Sequence, residues 1–469
     1  MTNSRNDHPA WLYVLLPATA MLLGWGLRGY IGGGTYGAMI PGVFVALSIT
    51  LLLGYKMETA AMAAVFGAMG VGQGGTETYG QTLGFVREWD TLGWGVLGCI
   101  IKGGVWGLLG GAVLGLGLDR THYDRRTTII ALLLTIPAFI IGERFINEPK
   151  YTWLYFSNLL DKPRDESWAG LLFAALALLA YLRQRGSKAA FTIPLSFSLW
   201  GGLGGAVGFG VGCLWLAFGP PEMKWVGWWK MMEFSFGFIF GGALGWCAWL
   251  NREQLTRAGQ EGEVPEAKWG PFWGYLAFII AVTLGRGLVF GLLPEGFRHD
   301  ESLSAELIRI GLSAAFAFIT FGSVSIFFGM ASLHIAWQAA ITLTVYYTVL
   351  DYTRDLDDIK NFGYTLGSAG QQIVPLLCAA VVGVLVYRLM KGPRPVQRLL
   401  LLVLWACYLS GCARSFLQKD LLFPPDGGSR LDAMFNMHSS LLLVHGIFTA
   451  SALLTTWFIL TRFRETEGR

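Results

Sequence analysis

Charged residues are scarce in this chain. They make up 14% of its 469 residues, whereas a soluble protein would carry about 25%. No long basic block occurs, which argues against a nucleic-acid partner. Apolar residues account for 54% of the chain and recur in long runs from one end to the other. The composition therefore indicates a membrane protein whose main contact is the lipid bilayer.

Cysteine and catalytic motifs are also sparse. None of the six cysteines forms a CxxC pair, which argues against a disulfide framework or a zinc site. All six lie in apolar runs, where cysteine commonly acts as a small buried side chain. The sequence contains no Walker A motif, nucleophile elbow or HExxH motif. We therefore predict no cofactor and no metal, and no motif identifies a catalytic residue.

What the chain does have is a series of apolar segments long enough to cross a bilayer. They predict an all-α polytopic membrane protein with about fourteen transmembrane helices. The expected spans are residues 9–29, 37–55, 59–75, 92–118, 128–146, 167–183, 189–218, 225–250, 270–293, 303–329, 331–350, 370–390, 397–415 and 439–462. The glycine-rich pieces 29–37 and 66–75 are open to a second interpretation as re-entrant segments.

Positive charge falls in every second predicted loop. Lys and Arg concentrate at residue 56, in 120–126, 183–188, 252–268 and 388–398, and in the tail after 461. The intervening loops are acidic or mixed. Because cytoplasmic loops carry the excess of Lys and Arg, this pattern predicts that both termini are cytoplasmic. The expected location is the cytoplasmic (inner) membrane of a bacterium, with multiple passes.

Two segments share a four-residue glycine spacing: GCIIKGGVWGLLGGAVLGLGLDR (98–120) and WWKMMEFSFGFIFGGALGWCAWLNR (228–252). Such spacing predicts glycine-zipper packing, because a helix face without side chains admits another backbone. Each segment closes a group of four predicted helices, which indicates parallel internal repeats. The predicted units are repeat 1 (1–120), repeat 2 (121–252), an eroded repeat 3 (253–390) and a two-helix extension (391–469).

Ionisable residues within apolar spans are costly and are therefore candidate functional positions. Lys102 and Glu233 lie at similar depth on the two glycine-rich helices, which predicts a salt bridge between them. Such a pair would be either a structural lock or a proton-coupled switch. Glu306 and Arg309 share a helix face, and either is expected to pair with Arg286 inside its own span.

Three arginines mark the outer ends of corresponding predicted helices: Arg28, Arg144 and Arg286. Arg28 precedes a run containing Gly32 and Gly34, whose backbone N–H groups would form an anion-binding nest. A tight turn, with Arg28 reaching the lipid head groups, is the alternative. We predict that these five residues bind a solute. The run GWGLRGYIGGGTYGAM resembles bacterial multi-pass proteins without indicating a function.

The histidines in the predicted helices are His334, His438 and His445. His438 and His445 are seven residues apart and therefore share a helix face. No Cys/His spacing accompanies them that would indicate a metal site. They are candidates for a proton relay, with ordinary buried polar residues as the alternative.

These features favour an integral membrane transporter, or permease, of a small anionic solute. Repeats, glycine-broken helices and buried cations are what such a binding site requires. The alternative is a membrane-embedded transferase acting on an outer-leaflet substrate, with His438 or His445 as its base. A structural or assembly subunit, in which the charges only fasten helices together, is the second alternative.

The topology is testable with single cysteines placed in a cysteine-free variant. Cysteines in the 120–127, 183–188, 252–268 and 388–398 loops should be protected from an impermeant thiol reagent added outside intact cells, because positive loops stay in the cytoplasm. A cysteine replacing Glu88, in an acidic loop, should be labelled. Labelling of two or more of the basic loops would overturn this topology.

Overall fold

The computed structural model describes residues 8–261, 388, 392–416, 428–436 and 440–463, except for short gaps at 32–33, 120–121, 149–153, 160 and 165. Every regular element in these residues is a helix. The long helices are α1 (Ala10–Ile31), α2 (Gly34–Leu52), α3 (Met57–Gly74), α5 (Leu92–Leu118), α6 (Arg125–Gly142), α7 (Trp168–Arg185), α8 (Lys188–Gly212), α10 (Trp228–Leu250), α12 (Pro395–Phe416) and α14 (Ser440–Arg462). The shorter ones are α4 (Thr82–Val86), α9 (Leu214–Phe218), α11 (Arg252–Glu261) and α13 (Arg430–Asn436). A π-helical turn, Glu143–Asn147, continues α6.

The expectation of an all-helical protein with membrane-spanning helices is confirmed. Six described helical segments are long and apolar enough to cross a membrane: Ala10–Arg28, Trp89–Leu118, Arg126–Asn147, Lys188–Phe218, Lys224–Leu250 and Ser440–Arg462. Two shorter apolar helices are Gly37–Leu52 and Pro395–Leu409. The predicted spans 270–293, 303–329, 331–350 and 370–390 lie outside the described residues, so the full count stays a prediction.

Alternate loops gather at opposite ends of the bundle. At one end, which we call the Asp119 face, Gln254 donates to Asp119 (2.7 Å) and the Tyr55 hydroxyl donates to the carbonyl of Leu118 (3.0 Å). At the other end, the Glu77 face, Gln81 donates to the carbonyl of Lys162 (2.8 Å). The chain thus crosses the bundle with each long helix, as a polytopic membrane protein must.

The two ends of the described chain lie at the same face. The ring of His8, just before α1, is 4.6 Å from the ring of Phe463, just after α14. The Arg462 guanidinium lies 5.3 Å from the Trp11 ring. Helix α14 therefore runs antiparallel to α1, and both ends belong to the Asp119 face.

Helices α5 and α8 meet through their glycines. A Cβ on Gly103 would overlap the carbonyl oxygen of Gly205, and one on Gly107 would overlap that of Gly201. A Cβ on Gly115 would still lie only 3.0 Å from the carbonyl oxygen of Ile193. The two backbones are therefore in direct contact over several turns, which only residues without a side chain permit.

Helices α1 and α10 approach each other in a similar way. A Cβ on Gly237 would lie 2.7 Å from the carbonyl oxygen of Met21, and one on Gly241 would lie 2.5 Å from that of Pro17. Between the two helix pairs, the Trp25 ring of α1 contacts the rings of Trp106 (4.9 Å) and Phe236 (4.3 Å). This aromatic cluster fills the centre of the bundle below the Glu77 face.

Side-chain caps begin two of the helices at the Asp119 face. Asp124 accepts a hydrogen bond from the N–H of Thr127 (2.8 Å) at the start of α6, and Ser187 accepts one from Ala190 (3.2 Å) at the start of α8. Each cap satisfies an N–H group that has no partner within the helix.

The glycine contacts predict that a single methyl group destabilises the bundle. Gly107→Ala and Gly241→Ala should each lower the unfolding temperature in detergent, because the added carbon overlaps a backbone that cannot move without separating the helices; a loss of about 1–3 kcal/mol is expected. Gly446→Ala is the matched control, because that glycine of α14 has nothing within 4 Å of the added carbon. Unchanged unfolding of both test variants would contradict the close packing.

Candidate functional site

The polar centre of the described structure is the segment 75–81 (GTETYGQ), which joins α3 to α4 and which we call the connecting loop. Its first N–H groups donate to carbonyls of the last turn of α3. Its last residue, Gln81, is fixed by the carbonyl of Lys162 and by the N–H of Arg164 (2.9 Å). Because both ends are held, Glu77 and Tyr79 are presented to the bundle interior in fixed positions.

Glu77 belongs to a buried group that we call the Lys102 cluster (Glu77, Lys102 and Glu166). The Lys102 ammonium lies 2.9 Å from Glu77 Oε1 and 3.1 Å from Glu166 Oε1, and it donates to the carbonyl of Thr78 at 2.7 Å. The three charged side chains are only 0–2% exposed. An ammonium has three N–H donors, and here each has an oxygen acceptor.

The two carboxylates of the Lys102 cluster differ in how their remaining oxygens are bonded. Glu77 Oε2 accepts from the backbone N–H of Ser167 at 2.8 Å. Glu166 Oε1 accepts both from Lys102 and from the N–H of Phe156 at 2.8 Å, whereas its Oε2 has no hydrogen-bond partner. Burial raises the pKa of the Glu166 carboxyl, with Lys102 opposing the shift and Glu77 adding to it.

The start of α7 is held by side chains from the π-helical turn. Asn147 Oδ1 accepts from the N–H groups of Ala169 (2.9 Å) and Gly170 (3.3 Å), and the Ser167 hydroxyl donates to Glu143 (3.3 Å). Single π-helical turns are often found at functional sites because they redirect side chains. Here the turn directs Asn147 at the α7 N-terminus, beside the Lys102 cluster.

Buried polar atoms without a protein partner surround the same helix end. Besides Glu166 Oε2, they are Asn147 Nδ2, Trp168 Nε1, Thr82 Oγ1 and Glu77 Oε1, the last of which has only its ion pair with Lys102. Buried polar groups are nearly always hydrogen-bonded, because burial without a partner costs free energy. Several such atoms in one region indicate a place where the protein takes up a proton or a polar ligand.

Tyr79 belongs to a second buried group, the Arg28 cluster (Arg28, Tyr79, Lys230 and Glu233). Arg28 Nη1 donates to the Tyr79 hydroxyl at 2.7 Å, and that hydroxyl donates to Glu233 Oε1 at 3.3 Å. The Trp229 indole donates to the same oxygen at 3.0 Å, and Lys230 forms an ion pair with Glu233 Oε2. Lys230 also donates to a backbone carbonyl of α1. The cluster thus joins α1, α10 and the connecting loop.

Aromatic rings surround the Arg28 guanidinium. Its central carbon lies 5.8 Å from the Trp25 ring, 5.5 Å from that of Tyr79 and 5.3 Å from that of Trp106. Cation–π attraction stabilises a guanidinium in such surroundings, the more so when water is excluded. Burial raises the pKa of the Tyr79 phenol, with Arg28 opposing and Glu233 adding, so that it stays protonated and donates to Glu233.

The predicted salt bridge between Lys102 and Glu233 is wrong. Lys102 pairs with Glu77 and Glu166, and Glu233 pairs with Lys230. The reason is that α8 packs against both α5 and α10, while the glycines of α5 contact α8 and those at 237 and 241 of α10 contact α1, so that Lys102 and Glu233 do not meet. The loop between α3 and α4 then supplies a partner to each.

The other predicted site residues have mixed outcomes. Arg28 is buried in the cluster described above, and Arg144 is half-buried in the π-helical turn. His445 is buried in α14, where its Nδ1 lies 3.5 Å from Cys412 Sγ. Gly34 is the first residue of α2. The residues that lie outside the described part of the chain are Gly32, Arg286, Glu306, Arg309, His334 and His438.

Sequence reasoning missed four members of the two clusters: Glu77, Tyr79, Glu166 and Lys230. Both glutamates lie in the intervening acidic or mixed loops of the predicted topology, where a charged side chain is normally solvated, although the structure buries both. A usable signal was present for Glu77 and Tyr79, because TETYG follows the glycine-rich end of α3 without a polar spacer. No comparable signal marks Glu166.

Removal of the Lys102 ammonium should be strongly destabilising. In Lys102→Gln, two buried carboxylates lose their counter-ion, and the expected loss of unfolding free energy is about 3–5 kcal/mol. The measurement is the unfolding temperature in detergent at neutral pH. Lys224→Gln, which changes an exposed lysine at the same face, should unfold like the wild type. An unaltered unfolding temperature in Lys102→Gln would show that the cluster does not hold the fold together.

The chain matches no protein-family model, no curated protein and no solved structure. A helical membrane fold alone serves many functions, so the chemistry of the two clusters is what indicates the function of this chain. The Lys102 cluster contains one cation and two carboxylates, and the Arg28 cluster contains two cations and one carboxylate.

Proposed function

We propose that this chain is a transporter, or permease, of a small anionic solute, and that the Arg28 cluster is its binding site. The observation that carries the proposal is the buried Arg28 guanidinium, which lies among three aromatic rings and donates to the Tyr79 hydroxyl. Lys230 belongs to the same cluster. Two cationic side chains in a region from which most water is excluded supply the charge and the N–H donors that recognise an anion.

The chemistry of the cluster suits an oxyanion. A guanidinium is planar and presents several N–H donors in a fixed fork, which matches a carboxylate or phosphate group. The rings of Trp25 and Trp106 limit the space beside it to a small solute. The Lys230 side chain retains 14% exposure, so the cluster is reachable from the Glu77 face.

The packing of the helices supports internal repeats of the kind found in transporters. Helix α1 packs on α2 as α6 packs on α7, and α3 packs on α5 as α8 packs on α10. These are the pairs expected if α1–α5 and α6–α10 are two copies of one unit. Glycine contacts between α5 and α8 and between α1 and α10 hold the helices of each pair at a fixed separation, and such pairs would move as rigid bodies.

The orientation follows from the charges. The loops at the Asp119 face carry the Lys and Arg excess, so this face is cytoplasmic and the Glu77 face is extracytoplasmic. Both termini are then cytoplasmic, in a chain of about fourteen spans in the inner membrane. The solute accordingly enters the Arg28 cluster from the extracytoplasmic side.

A structural role for the chain is the second candidate, and the Lys102 cluster favours it. That ammonium has all three N–H groups bonded to protein oxygens, which is the arrangement of a lock rather than of a binding site. In a structural subunit the Arg28 cluster would be a second lock of the same kind. The two candidates differ in whether Arg28 recognises an added anion.

The test is binding of small anions to the purified protein. Inorganic phosphate, sulfate and a panel of mono- and dicarboxylates are added at constant ionic strength, with chloride as the reference. Since a ligand that binds the folded state raises the unfolding temperature, one of the anions should do so in the wild type. The same anion, radiolabelled, should accumulate in proteoliposomes.

Arg28→Lys should weaken that binding about ten- to a hundredfold, because the charge remains but the bidentate fork does not. Arg185→Lys, at an exposed arginine of the Asp119 face, is the control and should bind like the wild type. If no anion in the panel stabilises the protein or accumulates, the transport proposal is wrong. Wild-type affinity in Arg28→Lys would instead remove Arg28 from the site.

A further inference from the structure

Among the described residues, the Lys102 cluster holds one cation and two carboxylates. With both carboxylates ionised, these three side chains carry one net negative charge. The side chains are almost completely buried, and charge in such a place is unfavourable unless it is paired. Uptake of a single proton by either carboxylate makes the cluster neutral.

The bonding pattern identifies which carboxylate takes the proton. Each oxygen of Glu77 lies against a positively polarised group: Oε1 forms the ion pair with Lys102 but no hydrogen bond, and Oε2 accepts from the Ser167 N–H. Glu166 receives its two donors at the same oxygen, Oε1, from Lys102 and Phe156. Its Oε2 is buried and without a partner, which is the position at which an O–H bond can form with no loss of an existing contact.

In the described part of the chain, no cation other than Lys102 contacts Glu166. From the connecting loop it faces Glu77, and from the π-helical turn Glu143 is one hydrogen bond away through the Ser167 hydroxyl. Helix α5 contributes Lys102, and the nearby polar side chain of α4, Thr82, is neutral. Arg164 lies against Gly80, at the far end of the connecting loop. The raised pKa of Glu166 described above agrees with these surroundings.

We propose that the Lys102 cluster is a proton-binding site, in which Glu166 accepts a proton at Oε2 from water at the Glu77 face, and that this proton is coupled to binding at the Arg28 cluster. The reaction is the conversion of a carboxylate and a hydronium ion to a carboxylic acid and water. No other bond is broken, and the net charge of the cluster changes from −1 to 0. The coupling, though not the proton binding, rests on the transport function proposed above.

The connecting loop carries the coupling. When Glu166 is neutral, its attraction for Lys102 weakens, and the ammonium is left with Glu77 and the carbonyl of Thr78. The next residue, Tyr79, donates to Glu233 and accepts from Arg28. A change in the position of Glu77 is thus passed along two residues to the anion site. By linkage, an anion bound beside Arg28 must change the proton affinity of Glu166 to the same extent.

Infrared pH-difference spectroscopy of the protein in lipid nanodiscs, without solute, tests the proton binding. The wild type should show a carboxylic-acid C=O stretch that appears on acidification, with a midpoint above the ordinary glutamate pKa of about 4.3. Glu166→Gln should lack the band, whereas Glu222→Gln, at an exposed glutamate of the same face, should retain it. If Glu166→Gln does not fold, Glu166→Asp serves instead and should shift the frequency of the band. A band unaffected by changes at Glu166, or no band at all, would overturn the proposal.

The pH dependence of stability provides a second readout. A carboxyl whose pKa is raised in the folded state stabilises that state most at a pH below its unfolded pKa, and this contribution is lost as the pH rises through the folded pKa. The unfolding temperature of the wild type should therefore fall as the pH rises from the unfolded pKa of Glu166 to its folded pKa. That of Glu166→Gln should fall less over the same pH range. An equal decline in both proteins would count against Glu166.

The coupling is tested separately with the anion that binds the wild type. Its affinity should depend on pH in the wild type and become independent of pH in Glu166→Gln. If the infrared band belongs to Glu166 but no anion binds, the transport proposal fails and the proton site stands. If an anion binds with the same pH dependence in both proteins, the coupling is wrong while the transport proposal stands.

Discussion

The ammonium of Lys102 is the charge on which the described bundle depends. A lysine in the membrane-buried part of a helix requires acceptors for all of its N–H groups, since lipid supplies none. Glu77, Glu166 and the carbonyl of Thr78 provide them. These oxygens come from the connecting loop and from the segment ahead of α7, so a single side chain of α5 fixes two stretches that have no regular structure of their own.

The glycine contacts give this charge its position. Gly103, the first glycine of α5 that touches α8, directly follows Lys102, and Gly237, which touches α1, comes one turn after Glu233. Backbone contact between helices allows little variation in their separation or register. Each helix pair therefore holds its buried charged side chain, Lys102 or Glu233, within contact distance of the groups that pair with it. This is the accuracy that an ion pair in a region of low dielectric constant requires.

The two clusters are joined by the connecting loop, whose residues 77–79 contact both. In the proposed function a proton binds at the Lys102 cluster and an anion binds at the Arg28 cluster. Together they carry no net charge, so movement of both through the bilayer avoids the electrostatic cost that either would meet alone. This arrangement gives a physical reason for placing two buried clusters side by side.

Much of the helical architecture was accessible from the sequence. Apolar runs located the described helices to within a few residues, as at 92–118, because hydrophobic length is a local property. The glycine spacing identified α5 and α10 as helices with a face free of side chains, but it left their neighbours undetermined. The intramembrane charges were recognised for the same local reason: a charge in an apolar run is conspicuous.

The partners of those charges were decided by tertiary structure alone. The sequence assigned Glu77 and Glu166 to loops in water and paired Lys102 with Glu233, because loop residues are normally solvated and the two glycine-rich helices look equivalent. In the folded protein the loop after α3 turns into the bundle, and the glycine zipper of α5 contacts α8 whereas that of α10 contacts α1. The sequence by itself determined which charged side chains lie in apolar helices and therefore require a partner. Only the fold decided what compensates them, because the partners of Lys102 are distant in the chain. Glu166 lies 64 residues from Lys102 and Glu77 lies 25 residues from it, and no local sequence pattern links residues so far apart.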